Sequence, residues 1–295
     1  MADHGTAFLE RRMGDWARAR LHPHLAEFVM FTLKQGWAAL FGLLFLAAIM
    51  ITKAIWHPDW GLARYDALFL FAILTQTLFF LLRLETWEEV KVIFLFHATG
   101  TIMEVFKLAQ GSWDYPETGI MEIAGVPLFS GFMYASVGSY IARVIRIFHM
   151  QFAPYPPIWS TLLLAAAIYG NFFVQHFWLD IRLALFAATV LLFWRTRIWF
   201  FPGHMPRWMP LPVAAFLSAI FLWIAENVGT FTKTWAYAGQ HAFEMVSLAK
   251  LGSWYLLLYV SFVTVTLVIR DQLVAAPIRP RPREVYAGGE VSSRV

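Results

Sequence analysis

Eight stretches of this chain are both apolar enough and long enough to cross a bilayer, near residues 37–56, 65–84, 90–109, 126–147, 157–177, 181–201, 209–231 and 248–270. Each approaches the roughly 20 residues that a helix needs to traverse the hydrocarbon core. The runs are continuous rather than alternating, which favours helices over barrel strands, and a helix satisfies its own backbone hydrogen bonds in lipid. Only 14% of the residues are charged, against roughly 25% in a soluble domain. That is too little to cover a water-soluble core made of eight such helices. The expected fold class is all-α: a polytopic transmembrane helical bundle of about eight spans, with the lipid bilayer as its principal partner.

The basic residues orient the bundle. With the amino terminus inside, the inner segments hold Arg11, Arg12, Arg18, Arg20, Lys34, Arg83, Lys91, Arg143, Arg146, Arg195, Arg197 and Arg207, and the tail adds Arg270, Arg279, Arg281, Arg283 and Arg294. The outer segments keep only Lys53, Arg64, Lys107, Arg182, Lys233 and Lys250. Seventeen cations against six place both termini in the cytoplasm. The net charge of +4 follows from that orientation and does not require a nucleic-acid partner. The absence of cysteine excludes disulfides and thiolate chemistry, and no secretory signal with a small-residue cleavage site is visible. Residues 1–36 read as a basic leader, either an amphipathic surface helix broken at Pro23 or a partly ordered tail. Residues 271–295 read as a disordered cytoplasmic tail.

A motif occurs twice, each time where an apolar run reaches its polar end: Glu104-VFKLAQGS-Trp113-D-Tyr115 and Glu226-NVGTFTKT-Trp235-A-Tyr237. A lysine lies between Glu and Trp in both (Lys107, Lys233). The next run carries Ser130-GFM-Tyr134 in one copy and Gly252-Ser253-Trp254-Tyr255 in the other. The spacing predicts an internal duplication, helices 1–4 over 37–147 and helices 5–8 over 148–270. Because four is even, the repeats would be parallel, related about an axis along the membrane normal.

An ionisable residue inside a membrane is costly and functional by default, so Glu104 and Glu226 are the candidate catalytic carboxylates. Their bland alternative is a Glu104–Lys107 pair at i,i+3 with a helix cap. His97 lies two turns before Glu104 on one helix face. His176 and Asp180, at i,i+4, would join the same layer if helices 3, 5 and 7 are neighbours, with Asn227 beside Glu226. No His/Glu pair shows metal-ligand spacing, so no metal site is expected. Trp113, Tyr115, Trp235 and Tyr237 fit either an interfacial aromatic belt or the wall of a pocket. That pocket would also hold Lys107, Asp114 and Lys233 and accept a lipid, isoprenoid-like or cationic ligand.

The stretches His97-ATGTIMEVFKLAQGSWDYPE-Thr118, Gly125-VPLFSGFMYASVGSY-Ile141 and Ala225-ENVGTFTK resemble a bacterial integral-membrane family, the domain of unknown function numbered 817. That resemblance implies a polytopic protein of the inner (plasma) membrane and no particular activity. Glu104, Gly111, Trp113, Tyr115 and Gly125-Val126-Pro127 are also similar, as an analogy of motif, to signatures of the heterodimeric-type lycopene cyclases and carotenoid hydratases. The cyclases' Pro-x-Glu-Glu motif is missing. Two functions are expected: acid/base chemistry on a lipid or isoprenoid-like substrate through Glu104 and Glu226, or transport of a small solute using the same carboxylates. A non-catalytic membrane partner protein is a third.

Overall fold

The computed structural model describes residues 7–57, 59–203, 205–237 and 244–281. Among them are ten helices: α1 (Ala7–Arg20), α2 (Pro23–Ala38), α3 (Leu40–Ile55), α4 (Arg64–Leu81), α5 (Trp87–Ala109), α6 (Phe129–Ile147), α7 (Ile158–Val174), α8 (Arg182–Phe193), α9 (Leu211–Phe231) and α10 (Leu248–Val268). Their boundaries follow local chemistry. Pro23 opens α2, where its missing N–H costs no hydrogen bond. Thr86 and Glu89 form a reciprocal capping box at the start of α5. Between α2 and α3 the axis bends by 63° at Ala39.

Each of the eight expected runs holds a helix, but they differ in length. Among the described residues, four helices can cross a membrane by length and composition, namely α4, α5, α9 and α10, and the bent α2–α3 pair makes a fifth. Many large apolar side chains stay on the surface, such as Phe94 (70% exposed), Leu163 (65%) and Phe221 (74%). A protein built this way needs lipid as its solvent. The run expected at 181–201 is not one helix. It stops at Phe193, and Arg197–Phe200 forms strand β5. Thr196 makes the corner, its hydroxyl donating to Pro154 O while its carbonyl accepts from Leu211 N.

Helix α6 is the axis of the bundle, packed on α2, α3, α4, α5 and α10. It locks to α5 through glycine contacts in both directions: the Tyr134 ring lies on Gly100, and the Phe96 ring lies on Gly138. Short strands close the two ends of the molecule. At one end β4 (Gln151–Ala153), β5 and β6 (Arg207–Pro210) form an antiparallel sheet with Phe152 opposite Ile198 and Trp199 opposite Trp208. The segment after α10 joins this sheet end: Phe152 N donates to Gln272 O, and Tyr155 N donates to Val274 O. The disorder expected from residue 271 therefore does not begin there, because strand β4 supplies partners for that backbone. Residues 282–295 lie outside the described residues, as do 1–6. At the other end, β1 (Trp113–Asp114) pairs antiparallel with β7 (Ala236–Tyr237), Trp113 facing Tyr237. A separate hairpin joins β2 (Glu122–Ile123) to β3 (Val126–Pro127).

Candidate functional site

The two carboxylates are clamped in the same way. After α5 the chain turns back so that the Trp113 indole N–H and the Tyr115 hydroxyl both donate to Glu104 Oε2, each at 2.7 Å. After α9 the Trp235 indole and the Tyr237 hydroxyl both donate to Glu226 Oε1, at 2.8 and 2.5 Å. Tyr134 reaches across from α6 and donates to Glu104 Oε1 at 2.6 Å. Lys250 and Trp254 of α10 lie close to Glu226. Both carboxylates are buried, 2% and 6% exposed. A tryptophan N–H can only donate, so each clamp is built to serve an acceptor. Burial first, and then the neighbouring carboxylate, hold the Tyr115 and Tyr237 hydroxyls well above the ordinary tyrosine range. Both stay protonated and remain donors.

The turns that set this geometry match bond for bond. Gln110 N donates to Phe106 O, Gly111 N to Leu108 O and Ser112 N to Lys107 O. The second copy repeats this with Thr232 to Val228, Lys233 to Thr230 and Thr234 to Gly229. Gly111 and Lys233 occupy the left-handed position, with φ of 62° and 51°, where such a helix end favours glycine. The lysines paired by eye in the sequence are thus not counterparts. Lys233 is an exposed turn residue in the place of Gly111, and Lys107 lies in the last turn of α5. Lys233→Gly is expected to stabilise the protein by about 1 kcal/mol, since the left-handed strain is relieved and, among the described residues, no hydrogen bond or ion pair of the side chain is lost. Thermal unfolding in detergent would check it; a lower midpoint would contradict the cap assignment.

The ladder joins the clamps. Trp113 of one faces Tyr237 of the other, with ring centroids 5.9 Å apart at 89°. Lys250 Nζ sits 3.9 Å from the Tyr237 ring centre and 5.5 Å from that of Trp113. The amino end of α4 braces both turns: Tyr65 donates to Thr234 O, Asp66 accepts from Ile120 N and Met121 N, and Arg64 pairs with Glu117 at 2.8 Å.

The remaining expected residues sit elsewhere, and none bonds to either carboxylate. His97 packs on Phe132 and Gly131, deeper along α5. Asn227 ties α9 to the following loop, accepting from Val246 N and donating to Trp223 O. Asp114 accepts from the adjacent Tyr115 N and is exposed. Asp180 pairs with Arg182 at 2.6 Å. Burial pushes its carboxyl up, but the Arg182 N–H and guanidinium and the Asn171 amide outweigh that and hold it below the usual range. Lys107 Nζ lies 2.7 Å from His176 Nε2. Burial, then the Lys107 and Lys250 charges, hold His176 below its ordinary value, so it is neutral and accepts from Lys107. Among the described residues no three His, Asp or Glu side chains converge as a metal site requires.

Tyr134, Lys250 and Trp254 belong to the site although the sequence pattern did not assign them to it. Tyr134 and Trp254 were visible within the repeated Gly/Ser segments; Lys250 gave no signal. Tyr134 and Trp254 also line an apolar cavity of about 300 Å³, among Gly100, Met103, Tyr169 and Leu258. A larger cavity, about 570 Å³, lies at the sheet end among Arg195, Arg197 and Arg279, away from both clamps.

The chain is 41% identical over 242 residues to the uncharacterized protein YoaT of Bacillus subtilis (strain 168), covering 82% of this chain and 91% of YoaT. Two crystal structures of MvINS, a mycobacterial Insig homolog from Mycobacterium vanbaalenii, align with TM-scores of 0.45 and 0.43 at 14% and 15% identity. The first is of a cross-linked trimer; the alignments cover 64% of this chain and 97% and 98% of theirs. Residues 27–262 match the model of the protein family of unknown function DUF817, and the chain belongs to that family.

Proposed function

We propose that this is a membrane enzyme that holds a lipid or isoprenoid-like molecule in the cavity between α5, α6, α7, α9 and α10. The carboxylates of Glu104 and Glu226 exchange protons with it. One observation carries the reading: Tyr134 lines the cavity, and its hydroxyl is bonded to Glu104. A ligand in the cavity can hand a proton to the Tyr134 oxygen while that hydroxyl's own proton, already directed at Glu104 Oε1, passes to the carboxylate. Trp113, Tyr115, Trp235 and Tyr237 are positioning residues that hold the two carboxyl groups still.

Glu104→Gln keeps the clamp if its carbonyl faces Trp113 and Tyr115 and its amide faces the Tyr134 hydroxyl, which then accepts. Turnover of the ligand should fall by about 10²–10⁴-fold in Glu104→Gln or Glu226→Gln, and full activity in both would make the pair architectural. Native mass spectrometry of the full chain should find a co-purifying lipid that Ala165→Phe, which fills the cavity, excludes. The same lipid content in both proteins would overturn the cavity assignment.

In this reading the protein crosses the inner membrane eight times, α3 to α10, as two parallel four-helix repeats. The matched helix ends support the repeat. The sheet end gathers the α6–α7 and α8–α9 connections with the segment after α10, whereas the ladder end gathers those of α5–α6 and α9–α10. An alternation of crossings requires that partition, and the arginine-rich sheet end is then cytoplasmic. Reporter fusions at Thr118 and at the carboxyl terminus should fall on opposite sides; the same side would sink the span count. Solute transport remains the second reading, favoured by one fact: each half supplies one carboxylate, and the clamps meet through a two-residue ladder. Proton-coupled uptake into proteoliposomes separates it from catalysis.

A further inference from the structure

We infer that the cavity's ligand carries an anionic phosphate head, held at the ladder end by Lys107, His176, Arg182 and Lys250. This rests on the cavity reading and names the chemical class of the molecule. Two helices lining the cavity carry a lysine just beyond the lining residues, and the turn after a third carries a histidine, all toward the same end. On α5, Lys107 follows Met103 by one turn. On α10, Lys250 precedes Trp254 by one turn. Beyond α7, His176 follows Tyr169 by two turns. Arg182, opening α8, joins them by donating to Ser253 of α10, one turn from Lys250.

One cation there has no counter-charge among the described residues. Lys107 is 4% exposed, yet its hydrogen-bond partner among the described residues is the imidazole of His176. Its flank is the Phe172 ring, 5.1 Å away. No carboxylate forms an ion pair with Lys107 or Lys250 among the described residues. Asp180 already engages Arg182. The Glu104 and Glu226 oxygens are turned to tryptophan and tyrosine donors. A buried ammonium without a counter-charge is costly, and a phosphate head supplies that charge with several acceptor oxygens at once. The apolar wall below it takes the tail.

The test uses the purified full chain in neutral detergent with three probes: farnesyl monophosphate, farnesol and inorganic phosphate. The expected result is that farnesyl monophosphate binds at least about tenfold more tightly than farnesol, the range of one or two charge-assisted hydrogen bonds. Inorganic phosphate alone should bind weakly. Lys107→Gln should abolish the preference while leaving farnesol binding unchanged, and Lys107→Arg should retain it. Equal binding of phosphate ester and alcohol would overturn the anionic head and leave the cavity reading standing. Binding of neither would remove both. Inorganic phosphate binding as tightly as the ester would assign the cations to a free anion and overturn a lipid as its source.

Discussion

Arg143→Met is expected to lower the stability of the folded bundle by about 3–5 kcal/mol, the usual effect of removing one partner from a buried ion pair. Arg143 is 1% exposed and is held by Glu85, which is 5% exposed, at 2.5 Å. Its other contacts are the Trp37 carbonyl and the face of Phe79, 4.9 Å from the guanidinium carbon. Methionine fills much of that volume, so the loss is chiefly that of the counter-charge. Burial pushes the Glu85 carboxyl up, and Arg143 pulls it back only in part. A carboxyl whose pKa is raised by folding binds more protons folded than unfolded. Its contribution is therefore most favourable at low pH and is lost as pH climbs from the unfolded value to the raised one. Without Arg143 that rise is larger, so the variant's deficit should shrink on acidification. Thermal unfolding in detergent at several pH values measures this. Glu85→Met with Arg143→Met should recover most of the loss. A single-variant deficit below about 1 kcal/mol, the range of exposed pairs, would show that water reaches the pair.

Gly229→Ala should be nearly as damaging, by about 1–3 kcal/mol, although it adds one methyl group. A Cβ at this position would collide with the far edge of the Trp235 ring. Relief requires the indole to slide, and its N–H then leaves Glu226. Gly229→Ala with Trp235→Phe should therefore be more stable than additivity allows, because the shorter ring removes the collision. Strict additivity of the two substitutions, read from unfolding midpoints, would mean that the indole does not lie over Gly229.

The apolar runs were legible as helices, since each expected run contains one, but the requirement of about twenty apolar residues per crossing is met, among the described residues, by α4, α5, α9 and α10 and by the bent α2–α3 pair. The split of 181–201 was not legible. Leu191 and Trp199 belong to one apolar run, and only the partner strands on either side, β4 and β6, make the latter extended. The clamps were half legible. Spacings of nine and eleven residues from Glu to Trp and Tyr marked the groups that hydrogen-bond to each carboxylate, but the aromatic belt was an equal reading of them. His97 was grouped with Glu104 by helix face, Asp180 by layer and Asn227 by adjacency to Glu226, and none of these says what a side chain bonds to. Asn227 follows Glu226 and so points off its face, while Arg182 captures Asp180 from two residues away. Lys250 was missed because what it meets, the rings of Trp113 and Tyr237, comes from two other segments of the chain.

The β1–β7 ladder also bears on the order of synthesis. Each clamp is local, closed by residues of its own helix and turn, so the first can form as soon as Tyr115 has been made. The ladder cannot, since four helices, α6 to α9, are translated before β7 exists. Throughout that interval β1 presents an unpaired edge. The register sets Trp113 against Tyr237. A chain halted after α6 therefore keeps that edge without the partner strand that follows α9.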